Sequence, residues 1–255
     1  MAIAPPAFYV TPGREPSLVL GKAFAEGCGG DLVDTRFVAN RPAAFYGVSK
    51  YTLPIFQACQ ARGLDHYYVD NGYFRPGHFD GYFRITRNAP QHSGIGRPDY
   101  DRWKALGLAI KPWRTTGRHV LVIGQSRTYF ELRGERPVTR FWDIVTAIAE
   151  VTDRPILYRP KPTASGPRRS LAEDLRDAWC VVAFTSNVAV EALLEGIPVF
   201  VTGDCAARVM GETDLGQIET PRRPDTRDEW AAVLAANQWT VDEIRSGKCW
   251  RDLHV

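Results

Sequence analysis

The chain has 255 residues, 44% hydrophobic and 24% charged, with a net charge of +3. That balance suits a globular protein of one large or two small domains and excludes disordered and fibrous classes. The charge permits an anionic ligand without demanding nucleic acid.

No run of about 18 apolar residues occurs. The most apolar region, 180–201, is broken by Asn187, Glu191 and Glu195, so no membrane span is expected. The opening MAIAPPAFYV has no basic stretch followed by a long apolar one, so it does not read as a secretory signal. The cysteines (Cys28, Cys59, Cys180, Cys205, Cys249) are odd in number, scattered and without a C-x-x-C. They argue against a disulfide framework or zinc site and for a reducing, cytoplasmic location.

In chain order, residues 7–10, 44–48 and 66–69 are short apolar or aromatic runs, each followed by loop residues, and read as strands. A helix is expected over 52–62, capped by Thr52, tolerant of Pro54 in its first turn and ended by Gly63. Periodicity then fades over 74–118, which reads as a long irregular connection. A second alternation follows. Strands are expected at 118–125, 156–158, 180–184 and 199–202, with helices at 141–151, 170–179 and 187–195. Ser170 and Glu173 form a capping-box pattern, and Gly196 with Pro198 stops the last of these helices. Thr240 is placed to cap a terminal helix at 238–245. Two successive βα sets predict an α/β fold of two Rossmann-like domains facing a cleft, 1–115 and 116–255, with ligands at the carboxyl ends of the strands.

Three constellations sit at such ends. Thr185, Ser186 and Asn187 join a strand to a helix start, where main-chain N–H groups and hydroxyls suit a phosphate. Glu191, one turn on, could accept from ribose hydroxyls; the plain alternative is that these residues only cap the helix and offset its dipole. Arg159-Pro-Lys161-Pro162 presents two cations on an extended backbone, suited to a diphosphate or else a solvated basic turn with Arg168 and Arg169. Asp70 precedes Asn71-Gly72, where a carboxylate could take the proton of an attacking hydroxyl, or simply turn the chain with Asn71.

Together these segments resemble the bacterial capsule-polysaccharide β-Kdo transferases and, more distantly, the bacterial sialyltransferases of GT-B type. The corresponding stretches are Asp70-Asn-Gly-Tyr-Phe-Arg75, Val122-Ile-Gly-Gln125, Arg159-Pro-Lys-Pro162 and Thr185-Ser186 with Glu191-Ala192. Their order and approximate spacing agree over 66–205. The resemblance implies a GT-B glycosyltransferase with Asp70 as base and the donor held by Gln125, Lys161, Ser186 and its neighbours. It also draws Arg75 to the acceptor side. Asn71 and Lys161 depart from the family pattern, which has a second acidic residue and a histidine there. The Pro12-Gly13-Arg14 turn is a further acceptor-side candidate, or only a connection.

The expected partners are a nucleotide sugar, as substrate rather than cofactor, and a saccharide or glycoconjugate. No cofactor is expected. No metal is expected either, because His78, His92 and His119 have no ligand spacing. Two alternatives stay open. One uses a hydroxymethylated DNA base as acceptor, prompted by cations interleaved with aromatics over 73–118, among them Arg84, Arg87 and Arg114 with Tyr73, Trp103 and Trp113. The other is a nucleotide- or glycan-binding module without catalysis.

Overall fold

The protein is described by a computed structural model covering residues 4–76, 79–132, 137–161 and 169–254. It forms two compact units, residues 1–92 with 237–255, and residues 93–236.

The first unit carries β1 (Ala7–Val10), α1 (Glu15–Cys28), β2 (Asp31–Asp34), β3 (Ala43–Tyr46), α2 (Leu53–Arg62), β4 (His66–Asn71) and β5 (Phe83–Arg87). Its sheet runs β2-β1-β3-β4-β5. The first four strands are parallel, and β5 is antiparallel to β4. Helix α1 starts with Pro16 in its first turn and ends at Gly29, which is left-handed at φ 72°. Phe8, Leu20, Phe24, Tyr67 and Phe83 form the core between this helix and the sheet. Burying such side chains contributes roughly 1.5–3 kcal/mol each.

The second unit carries α3 (Tyr100–Ala105), β6 (His119–Ile123), α4 (Arg127–Leu132), α5 (Pro137–Ala149), β7 (Ile156–Arg159), α6 (Leu171–Leu175), β8 (Ala178–Ala183), α7 (Val188–Leu194), β9 (Val199–Val201) and α8 (Arg227–Ala236). Its parallel sheet runs β7-β6-β8-β9. Val120, Val122, Ile144, Ile148, Val182 and Phe200 fill its core. The chain then returns to the first unit with α9 (Val241–Arg245) and α10 (Lys248–Asp252), whose Ile244 and Cys249 join that unit's core.

Mixed α/β architecture with parallel sheets is therefore present, but several details differ from the expectation. The two units part after residue 92 rather than at 115, because α3 packs on α8 and so ties 100–105 to the second unit. Residues 237–255 belong to the first unit instead of continuing the second. The segment 74–118 is not irregular throughout: it contains β5 and α3. The capping box at Ser170 is present, but its helix stops at Leu175, and Trp179 lies in β8 because 178–183 pair with β6. Helix α1 and strand β2 have no counterpart among the expected elements. No helix among the described residues is long and apolar enough to cross a membrane.

Each sheet has one point where successive connections leave in opposite directions. From β1 the chain goes through α1 to β2 on one side, while β3 lies on the other. From β6 it goes to β7 on one side, while β8 lies on the other. The crevice at the carboxyl ends of such strand pairs is where open α/β sheets bind ligands.

Candidate functional site

In the second unit, Gln125 follows β6 and Thr185 follows β8. The Gln125 Nε2 donates to Thr185 Oγ1, joining the two strand ends at the switch point. Gln125 also folds back, its Oε1 accepting from the Ser126 main-chain N–H at 3.0 Å. Thr185 is buried at 6% exposure, so its hydroxyl fixes Gln125 and the turn rather than facing solvent. Ser186 and Asn187 are half-buried. Ser186 Oγ accepts from Val188 N at 3.3 Å and its carbonyl from Ala189 N at 3.1 Å, so Ser186 does the local capping. Asn187 makes no side-chain cap and is already helical at φ −61°, ψ −19°. Glu191 is open to solvent at the surface of α7. Desolvation by surrounding protein nevertheless raises its carboxyl pKa, with the positive charge of Arg159 opposing.

The two expected cations have different fates. Lys161 is exposed just beyond β7. Arg159 donates to the buried carboxylate of Asp174 and to the Arg169 carbonyl, and Arg169 reaches the same carboxylate at 3.2 Å. One end of the Arg159 guanidinium is thus held in a structural ion pair inside the unit. Pro162 and Arg168 lie outside the described residues, as does His78.

In the first unit, Asp70 is not in a turn. Strand β4 extends through Asn71, with Asp70 opposite Arg84 and Asn71 opposite Phe83 of β5. The carboxylate is 29% exposed and meets Arg84 Nη2 at 2.8 Å. Its Oδ2 also accepts from the Tyr68 hydroxyl at 3.3 Å, and its Oδ1 from the Asn71 main-chain N–H at 2.9 Å. Asn71 in turn accepts from the Tyr46 hydroxyl at 3.2 Å, which ties the ends of β3 and β4. The Asx-turn alternative for Asp70 therefore fails: ladder pairing, not a turn, holds it. Gly72 must be glycine, since a Cβ there would come within 2.8 Å of Tyr82 and 2.9 Å of the Gln238 amide oxygen.

Gly13 follows β1 at φ 69° with open space around it. Next to it, the Arg14 guanidinium lies 4.4 Å from the centroid of the Tyr46 ring. Arg75 is exposed and left-handed at φ 45°, in the turn joining β4 to β5, and among the described residues its side chain meets no site partner. Sequence reasoning missed Arg84 as a partner of Asp70. Local pattern could not show it, because only the strand pairing places it there. Among the described residues no group of three or more His, Cys, Asp or Glu could hold a metal ion.

No protein-family model matches the chain, and no curated protein matches it. Its fold is similar to solved structures of Thermosulfurimonas dismutans KpsC. One, a beta Kdo 2,4 transferase, has a TM-score of 0.52 at 13% identity, covering 89% of this chain and 89% of that one. Another, a beta Kdo 2,7 transferase, has a TM-score of 0.54 at 15% identity, covering 96% of this chain and 99% of that one. At these identities the likeness is one of fold. It is the same family that the motifs resemble.

Proposed function

We propose that the protein is a GT-B glycosyltransferase that moves a sugar from a nucleotide-sugar donor to a hydroxyl of a saccharide or glycoconjugate. The observation that carries this reading is the fold shared with solved sugar transferases over nearly the whole chain. The residues are consistent with it. The first unit holds a partly exposed carboxylate, Asp70, at a strand end. The second holds amide, hydroxyl and ammonium groups (Gln125, Ser186, Asn187, Lys161) beyond its own strand ends. In the reaction the acceptor oxygen forms a bond to the anomeric carbon and its proton passes to Asp70. The nucleotide leaves with the bonding electrons, its phosphate charge met by Lys161 and the polar turn at 185–187.

The structure weakens the motive for a DNA acceptor. Arg84 pairs with Asp70, Arg87 with Asp65, and Arg114 donates to the Leu175 and Arg176 carbonyls. Tyr73 and Trp103 are buried, and the Trp113 ring lies under Arg227. These side chains are engaged within the fold, whereas Arg97, Tyr100 and Lys104 of the same segment are exposed. The test is nucleotide release from a panel of UDP-, GDP- and CMP-linked sugars, with and without oligosaccharide acceptors. Release from one donor, stimulated by an acceptor, is the expected result. Binding without release would favour the non-catalytic module.

A further inference from the structure

We propose that Arg84 is the positioning residue for the Asp70 carboxylate and that it leaves Oδ1 as the atom that receives the acceptor proton. The inference rests on the reading of Asp70 as base.

In the sheet of the first unit β5 pairs antiparallel to β4, and the register sets Arg84 directly opposite Asp70. Directly opposed residues of such a pair project on the same face, with Cβ atoms about 4.5–5.5 Å apart. Arg84 is almost fully covered, its side chain 7% exposed against 29% for Asp70. Its guanidinium bridges two acceptors on the β4 end: Nη2 to Asp70 Oδ2 at 2.8 Å and Nη1 to the Asn71 carbonyl at 2.8 Å. The Tyr73 ring lies beneath it, 5.2 Å from centroid to guanidinium carbon. A planar fork held at two ends and on one face has little freedom, which is what an orienting group needs.

The donors around the carboxylate are unevenly shared. A carboxylate offers about four acceptor sites, two on each oxygen. Arg84 and Tyr68 both donate to Oδ2, and the Asn71 N–H donates to Oδ1. Among the described contacts the remaining site is on Oδ1. Arg84 therefore does two things: it fixes the plane of the carboxylate through Oδ2 and the neighbouring carbonyl, and it keeps Oδ2 occupied so that the proton goes to Oδ1. Lysine could neutralise Asp70 but could not hold two acceptors in fixed directions.

The test compares Arg84→Gln, Arg84→Lys, Asp70→Asn and the double variant Asp70→Asn/Arg84→Gln. Nucleotide release is measured from whichever panel sugar the wild-type protein turns over, with kcat and KM separated. Misplacing a reacting group by about 1 Å costs on the order of 100-fold, so Arg84→Gln is expected to lower kcat by about 10- to 100-fold with donor KM within about twofold. Arg84→Lys, which keeps charge and most of the volume, is expected to stay folded and still lose about tenfold. If Arg84 acts through Asp70, the double variant is no slower than Asp70→Asn. An unchanged kcat in both Arg84 variants overturns the positioning role while leaving the base reading intact, and so does a double variant slowed by both factors multiplied. Full turnover in Asp70→Asn overturns the base reading itself. Crystal structures of the wild-type protein and Arg84→Lys give a readout independent of turnover. Rotation of the Asp70 carboxylate is the expected result, and an unmoved carboxylate refutes the proposal.

Discussion

Phe83 and Trp239 exchange both of their main-chain hydrogen bonds, Phe83 N to the Trp239 carbonyl at 2.8 Å and Trp239 N to the Phe83 carbonyl at 2.7 Å. This is the geometry of a hydrogen-bonded antiparallel pair. It extends the edge of the first unit's sheet with a residue from the far end of the chain. The Trp239 ring is 1% exposed and its indole N–H donates to Asp252 Oδ2 at 2.8 Å. Trp239→Ala should therefore destabilise the first unit by about 3–5 kcal/mol, the usual cost of emptying a large aromatic site. Urea unfolding of the full chain reads this directly, and an unmoved midpoint would show that the terminal return contributes little.

Asp70→Asn is expected to lower turnover by roughly 10²–10⁴-fold with nucleotide affinity unchanged. Asparagine keeps an acceptor for Arg84 but removes the charge, so about 1–3 kcal/mol of stability should go with it. Turnover and the unfolding midpoint are measured on the same preparations. A loss of stability without a loss of turnover would reduce Asp70 to a structural partner of Arg84.

The residues first grouped as donor ligands should separate into two classes. Lys161→Ala and Ser186→Ala are expected to weaken nucleotide binding by about 1–3 kcal/mol with little change in melting temperature. Arg159→Ala should behave in the opposite way, because it strips a charged partner from Asp174, whose side chain is 5% exposed. Breaking a buried pair costs about 3–5 kcal/mol, and the lower end is expected here since Arg169 still reaches the carboxylate. Isothermal calorimetry with the free nucleotides and thermal melts distinguish the classes. Loss of affinity at Arg159 with full stability would restore it to the donor site.

Stability should fall on mild acidification. Burial lowers the pKa of His66, with the charge of Asp65 opposing, and burial lowers that of His92. The His66 ring is stacked on Phe45 and edge-on to Phe56. The folded-state values lie below the unfolded value of about 6.5, so the unfolded chain binds protons first. Above that pH the two states hold equal protons at these sites; as pH falls through it, stability is lost. Urea midpoints from pH 8 to 5 should decline below about 6.5, and less steeply in His66→Phe. An equal slope in the variant would assign the decline elsewhere.

Much of the architecture was legible in local pattern. The apolar run at 119–123 and the helix starts at Ser170 and Thr240 were recognisable because apolar patterning and capping depend on near neighbours. So were the left-handed stops at Gly63 and Gly196, where glycine takes a positive φ without steric cost. The order of the site segments could be read in the same way, and it led to the fold that the KpsC structures share. Strand β2, four residues at Asp31–Asp34, could not be found locally, because its parallel pairing with β1 makes it a strand. The same holds for the Arg84–Asp70 pair, the Gln125–Thr185 bond and the return of Trp239 to Phe83. Each joins residues that are remote in sequence and become neighbours only through strand pairing or the sheet's crossover. The sequence by itself determined which side chains stand at strand ends. The tertiary structure decided which of them meet, as Asp70 meets Arg84 and Arg159 meets Asp174.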